Sequence, residues 1–481
     1  EVCTERSGPR DGHSVSASNE GIGQGHSTIE LWENHREGRA ATSTMGPKRG
    51  KAAGLRPRGN AEHRPKSVRR RKPPERMDKA RKLQRTLYRV AKQQPDRRFS
   101  LLYDKVCRPD ILEEAWKRVK TNRGAAGVYR ESIEKVQAAG EERFLADLRE
   151  DLLTDRYRAN KVRRVHIPKP GQPGRTRPLG IPTVRDRVVQ MAVKLVIEPV
   201  FDADFRPCSY GFRPKRTARM ALSAIVTSLN AGYTHVVDVD LKSYFDTIDH
   251  ELLMKLVERR IGDRRILRLL RAWLKAGVME DGKVTHPDRG SPQGGVISPL
   301  LSNIFLHEFD RQWCATDGSA AGRARMVRYA DDMVLLARTE ADARAAWSLF
   351  QSQVNALRLT INEEKSQLTT VRKGFCFLGF EFRQRRRNLY LWPRAKARKS
   401  IGERVRRTVR SVPSSSPLHE VIRKLNPVLI GWCTYFRVGN SNRTFHVVDW
   451  MVRSEAEPSP HFPSNRCSIT RTPKSWARMR L

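Results

Sequence analysis

The stretch Met326–Arg338 reads MVRYADDMVLLAR. Two apolar runs flank Ala330-Asp331-Asp332, the pattern of a β-hairpin whose tip carries two adjacent carboxylates. Neighbouring carboxylates repel, and burying either without a partner is costly. Further upstream, THVVDVDLKSYF (234–245) reads as an apolar strand that ends at Asp240. If the two strands lie side by side, Asp240, Asp331 and Asp332 converge. Three such acids are stable together only around divalent cations. Two Mg²⁺ roughly 4 Å apart activate a 3′-hydroxyl and stabilise a leaving pyrophosphate oxygen, which is nucleotidyl transfer. A bare Asp-Asp pair is more often a turn or a cap. The apolar flanks, the second strand-end acid and the charge of the chain favour the metal reading.

That charge is large. Of 481 residues, 93 are Lys or Arg and 52 are Asp or Glu, a net +41, with a pI near 10.7. A polyanion must neutralise it, so nucleic acid is the expected partner rather than a membrane surface. The seven cysteines are dispersed without a CxxC pair, which argues against a zinc site and for a reducing compartment. No apolar run of membrane-spanning length and no signal-peptide pattern is present, so the expected location is cytoplasmic.

Along the chain, 1–76 reads as a disordered basic arm, with 1–44 either disordered or upstream of a start at Met45. Helices are expected over MDKARKLQRTLYRVAK, with Leu83, Leu87 and Val90 on one face, over ILEEAWKRVK, and over EERFLADLREDLL, with Phe144, Leu145, Leu148, Leu152 and Leu153 inward. Residues 161–182 read as strand, Pro/Gly turn and strand. A buried helix over 186–201 is capped by Asp186 or Thr183 and stopped at Pro199. Helices over 250–260, 264–276 and 341–357, a Gly-rich loop feeding a helix (289–310), and a short hairpin near 375–382 complete an α+β pattern. Residues 383–410 hold twelve Lys/Arg against the single acid Glu403, and 390–450 reads as a separate helical module. Residues 451–481 lose periodicity.

The blocks IPKPGQPGRTRPLGIPTVRDRVVQ (167–190), DVDLKSYFDTIDH (238–250), SPQGGVISPLLSNIFL (291–306) and YADD (329–332) resemble, in order, those of a reverse transcriptase, specifically the bacterial group II intron-encoded branch. SYGFRP (209–214), LRLTINEEKS (357–366) and FCFLGFEF (375–382) extend the likeness. LIGWCTYFR (429–437) resembles the maturase module of that family. The resemblance implies a right-hand fold, with fingers and palm over 77–385, an all-α thumb/maturase module over 386–450, and an irregular basic tail with no nuclease domain.

It also implies roles. Asp240, Asp331 and Asp332 would be catalytic and hold two Mg²⁺, with Mn²⁺ a substitute. Lys169, Arg177, Phe245, Gln293 and Gly294 would contact the dNTP, with the Phe245 ring excluding a 2′-hydroxyl. Tyr329, Lys365 and Gly379 would lie along primer and template. Lys396, Arg398, Lys399, Arg406 and Arg407 would track RNA phosphates. Trp432, Tyr435 and Phe436 are expected mostly as module core. The partners implied are intron RNA, a DNA target or primer, and dNTP, with no membrane. The implied activity is RNA-directed DNA synthesis for intron mobility, joined to splicing assistance. Two alternatives are a splicing maturase with an idle polymerase and a defence or diversification reverse transcriptase. Two departures stand out: Tyr129 replaces the usual Asp after Gly-Val, and Asp155-Arg156 stands where a Gly is usual before the Tyr.

Overall fold

The computed structural model describes residues 79–168, 174, 176–280, 283–285, 289–290, 293–313, 323–413 and 416–456. The expected N-terminal arm and the tail beyond 456 lie outside them, as does Lys169.

Five helices open the described chain: α1 (Lys79–Gln93), α2 (Tyr103–Val106), α3 (Pro109–Thr121), α4 (Ile133–Ala139) and α5 (Glu141–Leu153). Strands β1 (Val162–Pro168) and β2 (Thr176–Ile181) form an antiparallel hairpin. Helices α6 (Val184–Asp204) and α7 (Ala218–Asn230) lead to β3 (His235–Val239). Then come α8 (Tyr244–Thr247), α9 (His250–Glu258), α10 (Arg264–Leu274), β4 (Val278–Glu280), β5 (Lys283–Thr285) and α11 (Ser298–Trp313). The palm hairpin is β6 (Ala324–Tyr329) with β7 (Asp332–Ala337), followed by α12 (Glu340–Ala356) and β8 (Gln367–Thr370). A second small sheet holds β9 (Phe375–Phe377), β10 (Phe380–Arg385) and β11 (Asn388–Pro393). Helices α13 (Ala395–Arg410), α14 (Leu418–Phe436) and α15 (Asn442–Ala456) close the described part.

Three sheets result, ordered β2-β1-β4-β5, β6-β7-β3-β8 and β11-β10-β9. All strand pairings within the sheets are antiparallel except β1 with β4, a short parallel contact.

Helix α6 is the axis of the main core. Most of its 21 residues are buried, and α1 and α3 pack along it. Thr183 caps it by accepting from the Asp186 N–H. The helix does not stop at Pro199 but runs through it to Asp204. Proline leaves the carbonyl four residues earlier without its helical donor, and here Gln84 of α1 donates its Nε2–H to the Leu195 oxygen at 3.0 Å. Packing on α1 thus repairs what the proline breaks.

In α5, Leu148 and Leu152 are buried and Phe144 and Leu145 partly so, whereas Leu153 is 50% exposed, because it falls one step past the apolar stripe. Asp155 has φ +58°, a left-handed conformation that suits glycine and explains why an acid there is a departure.

The palm sheet separates two cores by strand alternation. Val237, Val239, Met333 and Leu335 face the α6 core. Val236, Val334 and Leu336 face a second core with α7 and the β9–β11 sheet.

The helical module begins later and ends later than the sequence implied. Residues 388–393 are strand β11, paired along its whole length with β10, so the arginine-rich run 383–387 belongs to a hairpin. At the other end, periodicity continues to Ala456 in α15. Ile401, Val405, Val421, Leu425, Leu429, Val448 and Val452 form the core of this three-helix unit.

Candidate active site

The register of β3 against β7 builds the site. Val239 pairs with Met333 and Asp238 with Val334, which brings Asp240, the next residue, alongside Asp332, the first of β7. Residues opposite one another in an antiparallel pair share a face, so Asp238, Asp240 and Asp332 project from the Val236/Val334 side of the sheet. A slip of one residue would send every acid to the other core. Asp331 sits in the two-residue turn between Tyr329 and Asp332, after Ala330 at φ +57°.

The acids feel one another. Asp332 lies at a solvent-reached floor that is nonetheless crowded by protein atoms. That burial, then the charges of Asp331, Asp240 and Asp238, raise its carboxyl above the ordinary range, while Arg394 works the other way. Burial likewise raises Asp331, against the pull of Arg177 and Arg328. Asp238, which the sequence reading passed over, is pushed up to about 7 by burial and then by Asp240. Its signal was present as two acids at i and i+2 in one strand.

The three expected acids do not close on a common point, and among the described residues no group of three His, Cys, Asp or Glu side chains forms a ready-made metal cage. The Asp240 carboxylate instead accepts from Asn362 Nδ2 at 2.8 Å and from Lys365 Nζ at 3.0 Å, so an ammonium occupies the place where a cation would compete. The donor set fits a divalent ion: hard carboxylate oxygens, mutually repelled, with one already drawn to a positive charge.

Cations from separate segments border the acids. Arg177 on β2, exposed, acts on Asp331, and Arg394, at the start of α13, acts on Asp332. Lys396 has its pKa lowered by partial burial, then by the charges of Arg394, Arg177 and Lys365. Lys365, expected along the primer, is therefore found on Asp240.

The loop carrying Gln293 and Gly294 abuts the β1–β2 hairpin. The Gln293 carbonyl accepts from Gly180 N–H at 2.6 Å, and a Cβ on Gly294 would meet the Gly180 oxygen at 2.5 Å. Phe245 in α8 is half-buried and meets Tyr244 edge-on at 5.3 Å. Tyr329 is half-buried, 6.5 Å from the Phe212 ring. Gly379, at φ +80°, turns the chain between β9 and β10, and its carbonyl accepts from Arg394 N–H at 3.0 Å.

On α13, Lys396, Arg398, Lys399, Arg406 and Arg407 are exposed, opposite the buried Ile401 and Val405, and Arg406 pairs with Glu455. Phe436 is buried and Trp432 and Tyr435 partly so. Phe436 packs 4.8 Å from Phe380, and the Tyr435 hydroxyl donates to the Leu378 carbonyl at 2.8 Å. Tyr129 is exposed and donates to Asn160 at 3.2 Å.

A strand-end acid beside an Asp-Asp hairpin, on an antiparallel sheet backed by helices and followed by a basic three-helix unit, is the palm-and-thumb arrangement of a polymerase. Residues 167–382 match the family model for reverse transcriptase (RNA-dependent DNA polymerase), and 398–456 match the group II intron maturase-specific domain. The chain belongs to the group II intron-encoded reverse transcriptases with a maturase domain.

Among its relatives, Protein YkfC of Escherichia coli (strain K12) is 36% identical over 338 residues, 63% of this chain and 88% of that protein. Group II intron-encoded protein LtrA of Lactococcus lactis subsp. cremoris is 35% identical over 218 residues, 45% of this chain but 35% of LtrA. The putative COX1/OXI3 intron 1 protein of Saccharomyces cerevisiae is 26% identical over 400 residues, 71% of this chain and 46% of that protein. The chain thus spans well under two thirds of the latter two. No helix among the described residues is long and apolar enough to cross a membrane.

Proposed function

We propose that this chain copies intron RNA into DNA at Asp240, Asp331 and Asp332, and that its α13–α15 unit binds the same RNA and assists its splicing. The observation that carries the reading is the β3–β7 register, which sets Asp240 beside Asp332 within the span of the reverse-transcriptase match.

In this reading the three carboxylates hold two Mg²⁺, for which Mn²⁺ can substitute. The metals supply Lewis-acid activation of a primer 3′-hydroxyl and of the dNTP phosphates. Arg177, with Lys169, neutralises triphosphate charge. Gln293 and Gly294 allow the backbone close to the template and nucleotide. The Phe245 ring limits the sugar to one without a 2′-hydroxyl. Tyr329 and Gly379 support the primer end. Lys365, which holds the Asp240 carboxylate, would also be placed to pair with a substrate phosphate. Lys396, Arg398, Lys399 and Arg407 follow RNA phosphates, as does Arg406 once released from Glu455. The work belongs in the cytoplasm, where transcript and dNTP meet. The intact set of acids speaks against an idle polymerase, and the maturase match speaks against a defence lineage.

The test is extension of a DNA primer on an RNA template by purified protein. Asp331→Ala should abolish extension and leave intron-RNA affinity unchanged. Full extension by that variant would refute the assignment.

A further inference from the structure

We infer that Arg328 is a positioning residue that clamps Ala330 in its left-handed conformation and so sets the aim of Asp331. The inference rests on the role proposed above for Asp331.

Ala330 has φ +57°, although it carries a Cβ and sits at a hairpin turn position where glycine is favoured. Such a conformation is strained and persists only where the surroundings over-determine it. The surroundings here are explicit. Arg328 is 0% exposed, and its guanidinium makes five hydrogen bonds. Nε donates to Asp310 Oδ1 at 2.8 Å, and Nη2 donates to Asp310 Oδ2 at 2.5 Å and to Ser209 Oγ at 2.7 Å. Nη1 donates to Asn303 Oδ1 at 2.9 Å and to the Ala330 carbonyl at 3.1 Å.

A buried ion pair adds little net stability over well-packed apolar side chains. The informative hydrogen bond is therefore the one to the Ala330 carbonyl, which ties the turn to a buried group held by four other hydrogen bonds.

A second contact closes the clamp from the other side. Asn303 Nδ2 donates to the Gly211 carbonyl at 2.8 Å. A Cβ on Gly211 would lie 2.3 Å from Ala330 N and 2.9 Å from the Tyr329 carbonyl carbon. The segment that carries Gly211 is itself held to the edge of β6. Arg328 N–H donates to the Cys208 carbonyl and Tyr210 N–H to the Arg328 carbonyl, each at 2.9 Å. Ala330 is thus gripped by backbone on one side and guanidinium on the other.

Two variants test the clamp. Gly211→Ala pushes directly on Ala330. Arg328→Lys keeps the charge for Asp310 but lacks the planar fork that reaches Asn303, Ser209 and Ala330 together. Each is measured for melting temperature, intron-RNA affinity, extension rate per folded molecule, dNTP KM and the Mg²⁺ concentration at half-maximal rate.

The expected result is unchanged RNA affinity, an extension rate down by about 10- to 100-fold, as for a misplacement of roughly 1 Å, and a half-saturating Mg²⁺ raised several-fold. A purely structural role would lower the folded fraction and leave both per-molecule quantities alone. If Arg328→Lys does not fold, Gly211→Ala carries the test. Wild-type rate and Mg²⁺ dependence in folded Gly211→Ala overturn the clamp. Asp331→Ala in the same series separates the two claims: if it is inactive while Gly211→Ala is normal, only the clamp falls, and if it is active, the site assignment falls.

Discussion

Lys365 Nζ lies 3.0 Å from Asp240 Oδ2, an ion pair between the segment after α12 and the acid that ends the first palm strand. The lysine side chain is 62% exposed and the aspartate 36%, so solvent screens the pair, and such pairs contribute about 0.2–1 kcal/mol. An ammonium there competes with any cation for the same oxygen. Lys365→Met should therefore lower the half-saturating Mg²⁺ for primer extension by up to about 5-fold, while slowing extension at saturating Mg²⁺ because a phosphate loses its counter-charge. A Mg²⁺ titration that does not move, or moves upward, contradicts the competition.

Phe245 is half-buried beside Tyr244 and packs on the main core. Shortening it to Ala should let a ribonucleotide enter, raising rNTP use relative to dNTP by about 10-fold or more, with a smaller loss in dNTP extension. The check is single-nucleotide extension with each sugar. Unchanged discrimination would assign the ring to packing alone.

Gln84 serves the carbonyl that Pro199 strips of its donor. Gln84→Ala leaves the buried Leu195 oxygen unpaired, at a cost of about 1–3 kcal/mol. Melting temperature should fall by a few degrees, with extension at permissive temperature retained. Replacing Pro199 with Ala in the same background restores the helical donor and should recover most of the loss. A double variant no more stable than Gln84→Ala would disprove the repair.

Alkaline pH should destabilise the core around Tyr103 and Cys107. Burial pushes the Cys107 thiol from 9.0 to about 11 and, together with Cys107, the Tyr103 phenol from 10.0 to about 12. Both pKa values are raised in the folded state, so the unfolded chain releases these protons first. Stability is complete below about pH 9 and declines as pH rises toward about 11, by on the order of 2–3 kcal/mol for Cys107 alone. Cys107→Ala should flatten the slope of melting temperature against pH over that range, whatever its effect at neutral pH. An equally steep slope in the variant would exclude the thiol as a source.

Much of this was legible in the sequence because local and global signals agreed. The palm hairpin, the strand before Asp240 and the helix over 341–357 all follow from periodicity. What was hidden depends on partners far along the chain. Pro199 read as a stop because nothing near it announces Gln84, 111 residues away. Strand β11 was masked by the arginines preceding it, and the end of α15 by a polar face. Register, which periodicity anticipates, brings Asp240 to Asp332, whereas Lys365, 125 residues along the chain, takes the Asp240 carboxylate. Arg328 looked like one more cation in a basic chain. Its meaning comes from Ser209, Asn303 and Asp310, which no single window contains.

The Tyr435–Leu378 hydrogen bond and the Phe436–Phe380 contact fasten the last helices directly beneath the turn that holds Gly379. A proteolytic cut or stop codon ahead of Trp432 would thus unroof an aromatic seam of the palm rather than detach an appendage. The helical unit and the sheet it leans on are therefore expected to lose their order together.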